Sequence, residues 1–150
     1  MNFKKISVIP AEKDNEMHKR GIWKVFNENI EFNFLTSEPV PYENHCKWWE
    51  EAFEKEFIYV ILYQSAVCGY IRLTKERTES KEKNEISIGL RKIYQNSGLG
   101  SIAYNLFEKK IKDIGVSEII AITSIRNELG QKFFEKNKFE RTRIRYAKKI

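Results

Sequence analysis

The sequence of 150 residues contains few cysteines, prolines and glycines: two, three and seven, respectively. Cys46 and Cys68 stand alone among apolar and aromatic neighbours, without the paired spacing of a zinc site and with only two histidines to assist them. These features argue against a disulfide framework and a metal centre, and we interpret both cysteines as small core residues. The low proline and glycine content excludes a collagen-like or low-complexity chain.

A long apolar run is also missing. The longest one, residues 57–63, has seven residues, whereas a membrane-spanning helix needs roughly 20. Lys4 and Lys5 resemble the head of a signal peptide, but Ser7 and Pro10 interrupt the apolar stretch that follows them. We therefore expect a cytoplasmic protein without a membrane partner.

The residues that are abundant indicate a folded domain with unevenly distributed charge. Hydrophobic residues make up 41% and aromatic residues 13% of the chain, so we expect one domain over residues 1–150. Residues 1–75 carry 10 basic and 11 acidic side chains, whereas residues 76–150 carry 17 and 10. The second half should attract an anion, although such charge most often serves solubility. The aromatic residues fall on apolar stripes and not on a basic platform, so no nucleic-acid partner is expected.

Hydrophobic periodicity predicts one strand, two helices and three strands, and then helix, strand, helix and strand in turn. The strands are predicted near Ile6 and Val8 and over residues 57–63, 67–74, 85–91, 119–122 and 139–148. The helices are predicted after a cap at Asp14, along a stripe of Tyr42, Cys46, Trp49 and Phe53, from Leu99 to Ile114, and after a cap at Asn127. Residues 75–84 are interpreted as a solvated, charged connector. This order indicates an α/β fold with an antiparallel front half and a crossover unit behind it.

The predicted strand at residues 85–91 has one apolar and one mostly polar face. Its even-numbered residues are apolar and point one way, while its odd-numbered residues point the other way. Gly89 interrupts the second face. A glycine inside a strand marks a bulge or a place where a ligand or another backbone approaches closely.

A glycine-containing loop, Gln-Asn-Ser-Gly-Leu-Gly-Ser at residues 95–101, connects this strand to the next helix. Its two glycines allow a tight turn that presents backbone N–H groups at a helix N-terminus, where a phosphate is favoured. A P-loop would need a closing Gly-Lys-Ser or Gly-Lys-Thr, which is absent. A dinucleotide site would need an acidic residue after the following strand, where Thr123 and Ser124 stand. A plain helix start is the remaining alternative.

The pattern Gln95-x-x-Gly98-x-Gly100, between a strand with an internal glycine and an amphipathic helix, resembles the signature of the GNAT acetyltransferase family. A second motif agrees with it. In that family the next helix commonly begins with Asn, carries an apolar-aromatic pair and leads into a Phe, and the matching residues are Asn127, Phe133, Phe134 and Phe139. The order of elements matches over nearly the whole chain. The resemblance implies a GNAT-like mixed sheet with splayed central parallel strands, flanked by about four helices.

The resemblance also implies that acetyl-CoA binds between strands 85–91 and 119–123, splayed at Gly89, and that no metal takes part. The implied cofactor contacts are Leu90, Arg91, Gln95, Asn96, Ser97, Gly98, Leu99, Gly100, Ser101, Asn127 and Phe133. Backbone N–H groups of the loop would hold the pyrophosphate, while Leu90 and Arg91 would pair with the pantetheine arm. For Asn127, an ordinary helix cap is an equally sufficient explanation.

Acetyl transfer to an amine needs a base, a hydrogen-bond donor for the oxyanion and, in some enzymes, an acid for the leaving thiolate. We prefer Glu85 as the base over His45, although both also have ordinary structural explanations. Phe134 occupies the position where many family members place a proton-donating Tyr. Tyr104 or Tyr94 could replace it, or water could, or CoA could leave as the thiolate.

The acceptor is indicated by the front half of the chain. His45-x-x-Trp48 resembles an element of GNAT enzymes that act on nucleotide-linked amino sugars or on ribosomal-protein N-termini. Candidate substrate-binding residues are Trp48, Tyr70 and Arg72, and the row Arg141, Arg143 and Arg145 would either meet a diphosphate or protect an edge strand. We expect an N-acetyltransferase of small-molecule amines, with a nucleotide-linked amino sugar first, as a possible homodimer. A protein N-terminal acetyltransferase and a non-catalytic acyl-CoA-binding module are the alternatives.

Overall fold

The computed structural model describes residues 2–33 and 36–150. In these ranges four strands and four α-helices follow one another as β1 (Ile6–Pro10), α1 (Glu16–Glu28), α2 (Tyr42–Lys55), β2 (Glu56–Tyr63), β3 (Ala66–Thr74), β4 (Ile86–Leu90), α3 (Leu99–Asp113) and α4 (Glu128–Lys136). The strands form an antiparallel sheet in the order β1-β2-β3-β4. The α/β class and the four flanking helices are as predicted.

The connection between β2 and β3 shows how local sequence sets the register of the sheet. Gln64 and Ser65 both have positive φ angles, 52° and 69°, and Tyr63 pairs with Ala66. A two-residue turn of this kind matches the natural twist of two antiparallel strands. In the neighbouring β3–β4 pair, Tyr70 lies opposite Gly89.

A hydrophobic cluster lies on each face of the sheet. The α3 cluster joins the apolar stripe of that helix to β1–β4 and includes Leu99, Ala103, Phe107, Ile111, Ile61, Ile71 and Leu73. The cluster under α1 and α2 includes Ile22, Val25, Trp49, Ala52, Ile58, Val60 and Tyr70. Each helix presents one apolar face to the sheet, which is what 3.6-residue periodicity predicts.

The two cysteines differ in their environments. Cys68 is buried in the α3 cluster, as predicted. Cys46 is only half-buried, because the buried face of α2 is centred on His45, Trp49 and Ala52. The first helix likewise begins one residue later than predicted, since Asn15 accepts a hydrogen bond from the His18 N–H and is therefore the cap.

The predicted strands in the last third of the chain are largely absent from the described residues. Residues 119–122 contribute a single parallel bridge, Glu85 to Ile120, with hydrogen bonds from the Ile86 N–H to the Ile120 carbonyl (2.8 Å) and from the Ile120 N–H to the Asn84 carbonyl (2.9 Å). Residues 139–148 form no strand and are mostly exposed, so the prediction of a strand there is wrong. Alternation describes a segment suited to pairing, but a strand also requires a neighbouring strand edge.

None of the helices in residues 2–33 and 36–150 combines the length and apolar character that crossing a membrane requires.

Helices α1, α2 and α3 pack against the sheet through the two hydrophobic clusters.

Two buried histidines make stability dependent on pH. The Nδ1 atom of His18 accepts a hydrogen bond from the Glu12 N–H at 3.1 Å, and the Nε2 atom of His45 lies 2.7 Å from the Lys19 carbonyl oxygen. Burial lowers the pKa of both side chains below the ordinary value. The unfolded chain therefore binds more protons than the folded protein once the pH falls below about 6.5.

We expect the Tm to fall as the pH is lowered from 7.5 to about 5.5, a window in which exposed carboxylates scarcely titrate. Thermal melts followed by circular dichroism measure this. A His18→Asn variant keeps an acceptor for the Glu12 N–H but cannot titrate, so its Tm should depend less on pH. A wild-type Tm that stays constant across this window would contradict the prediction.

Candidate active site

A cleft of about 940 Å³ opens beside the edge of β4 that faces away from β3. Among the described residues, the single bridge from Glu85 to Ile120 is the strand pairing on that edge. The Ile86 N–H points away from β3, toward Ile120. Because backbone groups alternate along a strand, the N–H groups of Ile88 and Leu90 point in the same direction. Ile88, Gly89 and Leu90 all line the cleft. Within residues 2–33 and 36–150, one wall of the cleft is therefore a strand edge whose Ile88 and Leu90 N–H groups have no backbone partner.

The loop at residues 95–101 forms one end of the cleft. Gly98 caps α3 in the left-handed conformation, with φ of 85°, where a side chain would be strained. The N–H groups of Gly100 and Ser101 begin the helix and have no backbone acceptor among the described residues. A helix N-terminus with free donors favours an anion. A Cβ atom at Gly100 would lie 3.2 Å from both Leu90 and Phe133, so the backbone there is closely approached.

The predicted cofactor residues fall into two groups by position. Most of them line the cleft, namely Leu90, Gln95, Asn96, Gly98, Gly100, Ser101, Asn127 and Phe133. Arg91, Ser97 and Leu99 do not belong to the lining. Arg91 pairs with Glu28 at 3.3 Å, the Ser97 hydroxyl donates to the Tyr94 carbonyl, and the Leu99 side chain is fully buried in the α3 cluster.

Asn29, at the end of α1, was not predicted as a site residue. Its Nδ2 donates to the Leu90 carbonyl at 2.8 Å, and its Oδ1 accepts from Gln95 at 2.7 Å, while Gln95 also reaches the Leu90 carbonyl at 3.1 Å. These three bonds tie α1 to the end of β4 and to the loop. The contact spans 61 residues, and no local pattern indicates it.

The start of α4 closes the same end of the cleft. Asn127 accepts a hydrogen bond from the Gly130 N–H at 2.9 Å and so caps the helix. It also lines the cleft, as does Thr123, whose hydroxyl oxygen is buried without a hydrogen-bond partner in the part of the chain described. The two interpretations of Asn127, cap and cleft residue, are therefore compatible.

Tyr70 lies over Gly89 at the middle of the cleft. A Cβ atom built on Gly89 would stand 2.7 Å from the Tyr70 ring and 3.0 Å from its hydroxyl oxygen. The Tyr70 hydroxyl makes no hydrogen bond within residues 2–33 and 36–150, and the residue lines the cleft. Burial raises the pKa of Tyr70, so its hydroxyl keeps its proton at neutral pH.

Beyond Tyr70, a charged cluster consists of Glu56, Arg72, Lys81 and Ser87. One Glu56 oxygen lies 3.2 Å from Arg72, the other lies 3.4 Å from Lys81, and Lys81 also reaches the Ser87 hydroxyl at 3.2 Å. The side chains of Glu56, Arg72 and Lys81 are 8%, 12% and 18% exposed. Burial lowers the pKa of Lys81.

Sequence reasoning placed neither Glu56 nor Lys81 in the site. Lys81 belongs to residues 75–84, where the interpretation as a solvated connector agrees with the exposure of residues 76–80 and 83 but is wrong for Lys81, whose side chain is 18% exposed. The Thr74 hydroxyl donates to the Glu82 carbonyl, and the Thr78 N–H donates to the Lys81 carbonyl at 2.8 Å, so the segment folds back over the cleft. A run of charges does not reveal which of its members is turned inward.

The two candidate bases both line the cleft, in different settings. Glu85 is 5% exposed, and its Oε1 accepts from the Glu82 N–H at 3.1 Å. His45 is also 5% exposed and is bound to the Lys19 carbonyl. Its ring centroid lies 5.4 Å from that of Trp48.

The two adjacent tryptophans separate as the helical geometry requires. Trp49 is fully buried, and Trp48 is half-buried and lines the cleft.

Phe134, at the position of the family's proton-donating Tyr, also lines the cleft. Tyr104 and Tyr94, suggested as its replacements, are outside the lining, packed against Phe107 and Tyr63, respectively. No three His, Cys, Asp or Glu side chains of the described residues group together as a metal site would need.

Solved structures with the same fold confirm the architecture. A domain from Methanocaldococcus jannaschii has a TM-score of 0.74 and 23% identity, covering 92% of this chain and 90% of that one. A putative acetyltransferase from Salmonella typhimurium, solved with its cofactor acetyl-CoA, has a TM-score of 0.70 and 16% identity, covering 93% and 82%. An aminoglycoside acetyltransferase from an uncultured soil metagenomic sample, in complex with sisomicin, has a TM-score of 0.70 and 12% identity, covering 98% and 97%.

Comparison with curated protein sequences gives no match. The family model described as Acetyltransferase (GNAT) family matches residues 22–139, which include the β4 strand, the loop and α4. This match spans well over half of the chain and agrees with both motifs and with the splayed cleft. The chain therefore belongs to the GNAT acetyltransferase family, and the protein is an acyltransferase.

Proposed function

We propose that this protein transfers the acetyl group of acetyl-CoA to the primary amine of a small molecule. The observation that carries the proposal is the line of unpaired backbone donors along the cleft. It runs from the Ile88 and Leu90 N–H groups to the first turn of α3. An extended amide chain that ends in a pyrophosphate needs donors in this order.

The residues of the cleft fit acetyl-CoA. The free edge of β4 can pair with the pantetheine amides as an added strand would, and Gly100 and Ser101 can donate to the pyrophosphate. Asn29 and Gln95 hold the Leu90 carbonyl and so keep the end of β4 in place. When bound, acetyl-CoA supplies the acetyl group and a thiol leaving group. The Salmonella protein with the same fold contains this compound.

Glu85 is the base in this proposal. One of its oxygens accepts a hydrogen bond from the Glu82 N–H. The other has no hydrogen bond among the described residues and can accept a proton from the ammonium group of the acceptor. His45 is the alternative. Because its Nε2 is held by the Lys19 carbonyl, only its Nδ1 can accept a proton.

Tyr70 is the proton donor in this proposal. It takes the role of the Tyr that many family members have at the position of Phe134. The Tyr70 hydroxyl lies over Gly89, which belongs to β4, the strand whose Ile88 and Leu90 N–H groups face the cleft. The hydroxyl makes no hydrogen bond among the described residues that would hold it away from a ligand. A hydroxyl that retains its proton can pass it to a departing sulfur atom. Tyr94 and Tyr104 lack this access, since neither belongs to the lining of the cleft.

A nucleotide-linked amino sugar stays one candidate acceptor, because His45 and Trp48, the residues of the motif that indicates it, both line the cleft. The arginine row does not add to that support. Arg141, Arg143 and Arg145 are exposed, with Arg141 paired to Glu135 and Arg143 to Glu82. The cytoplasmic location and the homodimer likewise stay predictions.

Thermal denaturation with acetyl-CoA, CoA and NADH tests the cofactor. We expect acetyl-CoA and CoA to stabilise the protein, by about 2.7 kcal/mol at roughly 100 times the dissociation constant, and NADH to have no effect. A Gly100→Val variant should lose this stabilisation, because its side chain meets Leu90 and Phe133 and fills the space beside the free donors.

Asn105→Val provides the matched control, since it places the same side chain on the exposed face of α3. It should keep the stabilisation by acetyl-CoA. Absence of stabilisation in the wild-type protein would contradict the proposed function. Stabilisation without release of CoA from any amine in a broad panel would instead favour the non-catalytic binding module.

A further inference from the structure

We propose that the acceptor is a small zwitterion, an amine with a carboxylate a few bonds away, whose carboxylate binds at the charged cluster. This inference rests on the proposed function and concerns the acceptor end of the same cleft. The cluster and Glu85 both line that cleft, on the side of Tyr70 away from the loop at residues 95–101.

The first argument is the cost of the charged cluster. Glu56, Arg72 and Lys81 are each more than four-fifths buried, and burying charges costs free energy that an ion pair scarcely recovers. Apolar side chains would pack the same space at no such cost. A buried ionic group that lines an open cleft is therefore better explained by a ligand than by stability.

The second argument is the unused capacity of Arg72. Two cations share one carboxylate, since Arg72 and Lys81 contact opposite oxygens of Glu56. The Nε atom of Arg72 is buried and has no acceptor among the described residues. The Trp48 and Tyr70 rings lie 4.9 and 5.4 Å from the guanidinium group and fix its plane. A guanidinium group held in this way is suited to the planar, two-point binding of a carboxylate.

The third argument is charge balance. Glu85 adds a second carboxylate near Lys81, so the cluster and Glu85 together carry two positive and two negative charges. At the mouth of the cleft, Glu51 and Lys55 pair with each other at 3.8 Å. A site with separate places for both signs suits a ligand that has both signs. A polycationic acceptor would meet Arg72 and Lys81, and a nucleotide diphosphate would require a surplus of positive charge.

In this arrangement the carboxylate of the acceptor lies on Arg72, and its ammonium group faces Glu85. The ammonium group gives one proton to Glu85, which passes it to solvent, and the neutral nitrogen then forms the new bond to the acetyl carbon. As the carbon–sulfur bond of the thioester breaks, the nitrogen loses its second proton to Glu85 and the sulfur receives the Tyr70 proton. The products are an N-acetylated acid and CoA. The second proton passes from Glu85 through solvent to restore Tyr70, so that one proton is released overall.

The experiment measures CoA release with a panel of compounds at fixed acetyl-CoA. The panel contains L-amino acids, their amides and decarboxylated amines, a UDP-linked amino sugar and sisomicin. We expect at least one amino acid to exceed its own amide by about 100-fold or more in kcat/KM, because an unfilled charged site rejects the analogue that lacks the matching group. Equal or better turnover of amides, of the UDP-linked sugar or of sisomicin would overturn the inference, as would no turnover of any amino acid.

Two variants separate binding of the carboxylate from general effects on the protein. Arg72→Gln should lower the ratio of kcat/KM for the preferred amino acid to kcat/KM for its amide about 30-fold or more. Arg20→Gln is the matched control: Arg20 also pairs with a glutamate, at 3.1 Å, and lies over an aromatic ring, at 4.1 Å, but outside the cleft. Lys81→Met provides a second test if Arg72→Gln fails to fold.

Stabilisation by acetyl-CoA distinguishes the two levels of failure. If the wild-type protein is not stabilised, the proposed function fails and the acceptor inference fails with it. If acetyl-CoA stabilises the wild-type protein and Arg72→Gln equally, but both show the same ratio of amino acid to amide turnover, the acceptor inference alone is wrong.

Discussion

Replacing Tyr70 with Phe is expected to lower kcat about 100-fold or more, which is the contribution usual for a general acid, while binding of acetyl-CoA is retained. The variant removes only the hydroxyl group, which has no hydrogen bond to lose within the described residues. The ring stays packed over Gly89 and beside Arg72. The loss should therefore appear in kcat and not in the thermal stabilisation by acetyl-CoA.

Steady-state CoA release with saturating acceptor measures this prediction. Tyr59→Phe is the control, because it removes a buried hydroxyl from the adjacent strand, where Tyr59 packs against Phe107 on the other face of the sheet. Adding Phe134→Tyr to the Tyr70→Phe variant should restore part of kcat, since Phe134 also lines the cleft. Wild-type kcat in Tyr70→Phe would show that a water molecule serves as the donor or that the thiolate leaves without a proton.

Replacing Trp49 with Ala is expected to lower the free energy of unfolding by about 3–5 kcal/mol. The Trp49 side chain has no exposed surface, its ring packs edge-on against Phe53 at 4.8 Å, and its Nε1 donates to the Lys13 carbonyl at 2.8 Å. The variant leaves both a large cavity and an unpaired carbonyl group. Equilibrium unfolding of the wild-type protein and of Trp49→Ala in urea measures this difference.

Trp48→Ala is the matched comparison, one residue earlier on the same helix. Trp48 is half-buried and covers Arg72, so its loss should cost clearly less stability and should mainly raise KM for the acceptor. If both variants lost the same stability, or if Trp48→Ala left the acceptor KM unchanged, the assignment of Trp48 to the acceptor site would be incorrect.

Features that depend on neighbouring residues were predictable from the sequence. The alternating faces of β4, the glycine within it and the loop that begins α3 all follow from local backbone chemistry. Gly98 illustrates this, because its φ of 85° is one that other residues adopt only with strain. The turn of Trp48 away from Trp49 follows equally from the 100° step between adjacent helical residues.

Features that depend on distant partners were not predictable. Asn29 contacts Leu90 across 61 residues, and Glu56 meets Lys81 across 25. Residues 139–148 have the alternation of apolar and polar residues that is typical of a strand, yet they form no strand in the structure. A strand forms only where another segment lies close enough to pair with it. The pattern of a segment indicates which of its faces is apolar, but not which other segment packs against that face.

By itself, then, the sequence determined the α/β class and the position of the loop with free donors, because each depends on periodicity or on backbone preferences within a few residues. Its two motifs also indicated the family, through their resemblance to the GNAT signature. Only the tertiary structure decided that Tyr70 lies over Gly89 and that Arg72 and Lys81 share the carboxylate of Glu56. These contacts arise where β2, β3, β4 and the segment after β3 converge. Their energies come from burial and from charge, both of which depend on the complete fold.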